Sequence, residues 1–312
     1  MNYSETTEKT TMRAAICTRY GPPEVVRIEE RQKPVVKDDE ILVRVRATTV
    51  SSGDCRVRSA KVPLVYRPMI MLLFGIGKPR QPIFGTELSG QIEAIGRSVT
   101  AYAVGDSVFA MTGMKMRTHA EYIALSEKGK VVPKPQSISY EQAAALAFGG
   151  TTSLYFFRKA QLQKGQRILI YGASGAVGTS AVQLARYKGA EVTAVCSGTN
   201  SELVKSLGAH QILDYTKEDF SAGDKKYDVI FDAVGKITKS SCRRILEKDG
   251  CYITVNRGMA SESREDLRLL GELAQDGIYT PVIDRTYPLE QIVDAYTYVE
   301  TGRKRGNVVI TL

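Results

Sequence analysis

Three glycines carry the sharpest chemical signal in the chain. Gly172, Gly175 and Gly178 stand three apart in the run ILIYGASGAVGTSAVQLA, residues 168–185. An apolar stretch precedes them and an apolar-faced helix follows, so they lie where a strand turns sharply into a helix. Such a turn brings the backbone close to a diphosphate. Its charge is met by peptide N–H groups around Ser174, Gly175, Ala176, Val177 and Gly178 and by the helix dipole. The alternative is a glycine-rich turn that only packs. The strand–turn–helix–strand context favours a dinucleotide.

The strand after that helix ends in AVCSGTN, residues 194–200. A site for NAD places an acid there, on the ribose 2′-hydroxyl. Here the nearest acid, Glu202, falls in the following helix. Ser197, Thr199 and Asn200 are small polar groups able to hydrogen-bond a 2′-phosphate, and Lys205 or Tyr215 can complete the pocket. NADPH is therefore expected over NADH. The plain alternative for residues 197–200 is a helix cap.

The elements that must position these residues fall into two textures. The first 135 residues read as β-rich, with alternating runs at 14–18, 41–47, 88–95 and 107–109 separated by Gly, Pro and Asp turns. Residues 140–159 are Ala-rich and read as helix broken at Gly149-Gly150. Strands then alternate with helices: strand 167–171, helix 178–188, strand 191–195, helix 201–207, strand 211–213, strand 228–234, helix 238–246 and strand 251–255. That order predicts a doubly wound parallel sheet. A helix at 264–276 follows. Residues 281–312 hold an extended piece, a helix at 289–301, a basic turn at 302–306 and a last strand.

Composition narrows the class. The 312 residues are 43% hydrophobic and 25% charged, as in an ordinary soluble protein of one or two domains. The longest apolar run, residues 69–76, is far short of the roughly 20 residues of a spanning helix. The first dozen residues are polar, without a secretory layout, and read as a tail. Five scattered cysteines, none in a CxxC pair, argue against a disulfide framework or a zinc cluster and for a reducing compartment, the cytosol. Lys plus Arg exceed Asp plus Glu, 43 against 34, which favours anionic ligands. With no Trp and no basic-aromatic motif, nucleic acid is not an expected partner. Only two histidines, His119 and His210, are present, so chemistry that needs several imidazoles is excluded.

Taken in order, the motifs resemble the medium-chain dehydrogenase/reductase superfamily, most closely its zinc-independent quinone oxidoreductase branch. The matching pieces are TMRAAICT (11–18), VSSGDCRVR (50–58), FGTELSGQIEAIG (84–96), VGDSVF (104–109), GGTTS (149–153), the glycine turn, LGAHQILDY (207–215), FDAVG (231–235) and PVIDRTYPL (281–289). The resemblance implies a GroES-like β-rich catalytic domain from residues 13–138 and 279–312. It implies a Rossmann NADP-binding domain over 139–278, with a disordered tail at 1–12 and the cofactor between the domains. Zinc relatives hold metal with Cys and His where this chain has Ser51 and Thr86, and their four-cysteine lobe is missing. Zinc needs about four N, S or O ligands, so no metal is expected, and Cys55 reads as a packed thiol. One departure stands out. The helix and sixth Rossmann strand that usually follow the position of Val255 are missing. Because that edge often pairs across a dimer, both monomer and homodimer stay open.

The same resemblance assigns roles. Thr151 and Thr152 lie beside the diphosphate or nicotinamide, with a helix N-cap as the alternative for Thr152. Asp232, Val234 and Gly235 flank the nicotinamide ribose, and Val255 and Asn256 face the carboxamide. Ser51, Asp54, Arg58 and Tyr66 come from the loop on the substrate side. Asp54 is expected to fix that loop. Arg58 is either an oxyanion stabiliser or a solvated surface arginine, and His119 is not expected to be catalytic. Residues 61–82 read as a packed loop, a lid over a hydrophobic substrate, or a weak contact with a membrane surface. The expected activity is zinc-independent hydride transfer from NADPH to a small hydrophobic quinone or α,β-unsaturated carbonyl. A zinc-free alcohol or ketone reductase and a non-catalytic, crystallin-like NADPH-binding protein are the alternatives.

Overall fold

The computed structural model describes residues 10–60, 74–258 and 260–312. Tyr66, most of the expected lid and the start of the expected tail lie outside the described residues.

The N-terminal part is a seven-stranded sheet. Its main path joins β3 (Glu40–Thr49), β4 (Glu87–Ile95), β5 (Ser107–Met111) and β7 (Val131–Pro133), with β6 (Tyr122–Ser126) against β3; β1 (Thr11–Cys17) and β2 (Val26–Gln32) form a separate hairpin pair. One face is filled by Ile41, Val43, Val45, Leu88, Ile92, Val108, Ile123 and Val131. Alternation along β3 leaves Arg44 outward between buried Val43 and Val45. Burying each such aliphatic side chain contributes about 2 kcal/mol. The chain end returns to this sheet: β14 (Asn307–Thr311) runs antiparallel to β3, pairing Val309 with Thr49, and β13 (Ile283–Pro288) lies parallel outside it.

The second sheet has five parallel strands among the described residues, in the order β10 (Gln211–Asp214), β9 (Glu191–Cys196), β8 (Arg167–Tyr171), β11 (Tyr227–Asp232), β12 (Leu246–Thr254). Strands buried on both faces read as continuous apolar runs, and Ile168, Leu169 and Ile170 are each fully buried. The order changes direction between β8 and β11. Ligands of doubly wound sheets bind in the crevice beyond the carboxyl ends of strands at such a switch point.

Two expected elements come out differently. The break in the Ala-rich segment falls at Ala145-Leu146, between α2 (Tyr140–Ala144) and α3 (Ala147–Lys159), and Gly149-Gly150 lies inside α3. A Cβ on Gly149 would run into Ser180 and the carbonyl of Ala176 on α4 (Ala176–Tyr187), and one on Gly150 would meet Leu270 at 2.6 Å. These glycines let helices touch and do not end one. Residues 239–245 form turns, and no helix. There Ser241 Oγ donates to the carbonyl of Thr238, and the Ser241 N–H donates to Thr238 Oγ1. Such local side-chain bonds compete with a helix. Among the described residues no helix is long and apolar enough to cross a membrane.

Candidate functional site

The site begins at the end of β8. Gly172 has φ +79°, and a Cβ there would sit 2.6 Å from Val234 Cγ1; a Cβ on Gly178 would collide with the carbonyl of Gly172. Gly175 is different. A Cβ on it would find only the carbonyl of Gly172, 3.7 Å away. Gly175 is also the N-cap of α4 and supplies no side-chain acceptor to the first turn. The open ends of Ala176 and Val177 therefore face space that an anion fits. The strand–turn–helix stands as expected, and the middle glycine keeps room clear while the outer two permit packing.

Around the turn the polar residues converge. Asn200 Nδ2 donates to Ser174 Oγ (3.1 Å) and Ser197 Oγ (3.0 Å), and the Ser197 and Thr199 hydroxyls lie 3.1 Å apart. Ser197 and Asn200 occupy the N-cap positions of a 3-10 turn (Gly198–Asn200) and of the helix Ser201–Ser206, as the helix-cap alternative has it, but neither side chain makes a cap hydrogen bond. Tyr215 is half exposed, its ring 6.1 Å from Tyr171. An acid missed in the sequence lies beneath this loop. Asp214 ends β10, and a Cβ on Gly198 would strike its carboxylate. Hydrogen bonds from the Thr216 hydroxyl and N–H to Oδ1 hold its pKa below the usual range. The acid braces the loop from its end of the third strand, where a search at the end of the second cannot find it.

On the other side of the switch point Asp232 is fully buried. Its carboxylate accepts the N–H groups of Val234, Gly235, Lys236 and Ile237 at 2.8–3.2 Å and the hydroxyl of Thr254 at 3.1 Å. Asp232 thus orders the loop that carries Val234 and Gly235. Asn256 Nδ2 donates to the carbonyl of Gly235 (2.8 Å), and the Val255 N–H to that of Asp232 (3.1 Å). Val234, Gly235, Val255 and Asn256 are therefore brought together beside Gly172. Thr152 is buried in the interior of α3, not at its N-cap, and Thr151 Oγ1 donates to the carbonyl of Ala147.

The substrate-side residues have structural partners. Ser51 and Asp54 form a reciprocal capping box at the start of α1 (Ser52–Ser59), and Asp54 Oδ1 also accepts the Gly85 N–H (3.1 Å). Asp54 ties two loops together. Arg58 is neither a solvated arginine nor an open oxyanion partner. Its guanidinium is 0% exposed, hydrogen-bonded to the carbonyl of Gly21 and Glu300, and 5.1 Å from the centre of the Tyr296 ring. His119 is a core residue: Nε2 lies 2.9 Å from the carbonyl of Thr49, and burial lowers its pKa.

Two titratable groups in the cleft were not singled out by sequence. Glu87 is 1% exposed and accepts the Thr49 hydroxyl and, at 2.5 Å, the Phe148 N–H; burial pushes its pKa up to about 7. Lys304 folds back so that Nζ donates to the carbonyl of Gly306 (2.5 Å), and desolvation pulls its pKa down to about 8. The signals were present, Glu87 inside a quoted motif and Lys304 in the basic turn. Neither carried a spacing that marks a role.

The same loops do not suit zinc. The Ser51 hydroxyl donates to Asp54. Burial pushes the Cys55 thiol up to about 12, and the thiol packs in the apolar cluster of Val50, Phe84 and Met116. Glu87 is engaged by Thr49 and Phe148. Among the described residues no three His, Cys, Asp or Glu side chains converge.

Comparison with known proteins gives a consistent picture. Residues 37–136 match the family described as alcohol dehydrogenase GroES-like domain, and residues 176–275 that described as zinc-binding dehydrogenase. The chain is 32% identical to 2-methylene-furan-3-one reductase of Solanum lycopersicum over 96% of its own length and 79% of the relative's. It is 27% identical to quinone oxidoreductase of Rattus norvegicus, over 96% and 98%. The solved quinone oxidoreductase from Coxiella burnetii superposes with a TM-score of 0.86 at 27% identity, covering 97% of this chain and 99% of that one.

Proposed function

The chain belongs to the medium-chain dehydrogenase/reductase superfamily, and we propose that it reduces small α,β-unsaturated carbonyl compounds or quinones with NADPH and without zinc. The observation that carries the nucleotide reading is the open space above Gly175, bounded by two glycines that tolerate no side chain. The amides that open α4 hold the diphosphate. Ser174, Ser197, Thr199, Asn200 and Tyr215 take the 2′-phosphate. Thr152, Val234, Gly235, Val255 and Asn256 line the nicotinamide end, on a loop ordered by Asp232. When bound, NADPH supplies the hydride. The protein's own work is to position the two reactants, exclude water and meet the charge that develops on the acceptor oxygen.

The substrate class rests on the relatives. One is named for reduction of a methylene-furanone, an enone, and two for quinones. Both acceptors gain a hydride and leave negative charge on oxygen, so one apparatus serves both. Zinc independence rests on the donor chemistry of Ser51, Cys55 and Glu87.

The test is NADPH oxidation, followed at the nicotinamide absorbance band, against panels of enones, quinones, ketones and aldehydes. Turnover with an enone or quinone that survives a strong chelator supports the proposal. Turnover with saturated ketones alone moves the protein to the ketone reductases. NADPH binding without turnover by any acceptor overturns the enzyme reading.

A further inference from the structure

The turn at 302–306 reaches both halves of the molecule. The Gly306 N–H donates to the carbonyl of Ser174 in the glycine turn (2.8 Å). Next to it, Asn307 Nδ2 donates to the carbonyl of Val282 (3.1 Å). The Val50 N–H, at the entrance to the Ser51 loop, donates to the carbonyl of Val308 (3.0 Å). Arg303 and Arg305 on this turn are exposed. Lys304 is less exposed than either arginine, and its ammonium feels the charges of Glu87 on β4 and Asp284 on β13.

Neither carboxylate pairs with it. Glu87 accepts Thr49 and Phe148. Asp284 accepts the Tyr298 hydroxyl (2.6 Å) and the Arg305 N–H (2.9 Å). Among the described residues the only hydrogen bond from Lys304 Nζ goes to the carbonyl of Gly306. An ammonium has three N–H donors, so at this partly buried position two are left for water or a ligand. Among the other polar groups of the substrate-side loops, Thr86 Oγ1 and Arg58 Nε are buried without a hydrogen-bond partner, and the rest named here are engaged. Ser51 and Asp54 cap α1, Arg58 is braced by Glu300, and His119 is buried against Thr49 and Tyr296.

We propose that Lys304 is the oxyanion-stabilising residue of the cleft, donating a hydrogen bond from its ammonium to the carbonyl or quinone oxygen of the substrate as that oxygen becomes negatively charged. The proposal rests on the oxidoreductase reading above. Hydride arrives at the acceptor carbon, the π electron pair moves onto oxygen, and Lys304 meets the new charge. Its proton passes to that oxygen, leaving a neutral amine that takes a proton back from water. A pKa near 8 suits both forms at neutral pH.

The test is binding of a nitrophenol, a stand-in for the enolate or quinol oxygen, to the protein saturated with NADP⁺. The phenol and phenolate absorb differently, so the bound pKa is read directly and without turnover. An ammonium at the oxygen lowers that pKa, shifting the bound equilibrium towards phenolate by about tenfold or more. Lys304→Met abolishes the shift, Lys304→Arg keeps most of it, and both variants keep the wild-type melting temperature and NADPH affinity. In the wild type, enone or quinone turnover falls as pH rises through about 8, and Lys304→Met lowers kcat without raising KM for NADPH. An unshifted or unbound phenol in the wild type overturns the proposal. So does a Lys304→Met variant whose main defect is weaker NADPH binding, which would put the ammonium on the diphosphate. A shifted phenol in a protein that turns over no acceptor leaves Lys304 as an anion site and sinks the enzyme reading alone.

Discussion

The main-chain N–H of Phe148, at the start of α3, donates to the buried carboxylate of Glu87 on β4 across 2.5 Å. This one contact joins the seven-stranded sheet to the helix that packs on the glycine turn. It also places a titratable group at that junction.

Glu87 makes stability depend on pH. Its folded pKa, about 7, lies above the ordinary value of 4.5 because burial disfavours the charged form. The folded protein holds this proton more tightly than the unfolded chain. The contribution is fully present below pH 4.5 and is lost as pH rises towards 7. Urea midpoints of wild type and Glu87→Gln, measured from pH 5 to 8, should converge at one end of that window and diverge across it. Parallel curves would contradict the assignment.

Arg58 and Glu300 form a brace. Removing the cation leaves Glu300 and the carbonyl of Gly21 without their partner beneath the Tyr296 ring. Arg58→Ala should lose about 3 kcal/mol of stability, as breaking a buried pair does. NADPH affinity in the folded fraction should stay unchanged. Thermal melting and nucleotide titration separate the two effects, and a variant of normal stability with no turnover would return Arg58 to catalysis.

Gly175→Val should leave the fold intact, because nothing lies within 3.4 Å of the new Cβ, yet its branches fill the diphosphate space. We expect NADPH affinity to fall at least about a hundredfold, ~2.7 kcal/mol. Gly178→Val, whose Cβ meets the backbone of Gly172 and Ala173, should instead fail to fold normally. Equal NADPH binding by wild type and Gly175→Val would mean the turn does not hold the nucleotide.

Ser197→Asp puts a carboxylate where the Asn200 amide now gathers Ser174 and Ser197. Repulsion of a 2′-phosphate and a hydrogen bond to a free 2′-hydroxyl should move the NADPH:NADH preference towards NADH by about tenfold. Affinities of both nucleotides for both proteins decide it. A wild type that already prefers NADH defeats the reading.

The sequence by itself determined what depends on near neighbours. The strand, the glycine spacing and the helix at 167–187 were legible because the turn is local: Gly178 is required by the backbone of Gly172 and Ala173, and Gly172 by Val234 in a motif, FDAVG, that is also legible, while Gly175 borders open space. The alternation of strands and helices gave the parallel sheet for the same reason. Tertiary structure decided what depends on partners far along the chain. Arg58 reads as either an oxyanion stabiliser or a surface arginine until Glu300 arrives 242 positions later. Gly149 and Gly150 read as a break until α4 and Leu270 pack on them. Thr238 and Ser241 outweigh a helical pattern once β11 and β12 fix the ends of their loop. Glu87 and Lys304 stand 217 positions apart in number, and only the return of the last strand to β3 brings their charges into one cleft. Composition and spacing report the side chains a segment offers. Burial and the partner across the fold set the charge each one carries and which hydrogen bonds remain open.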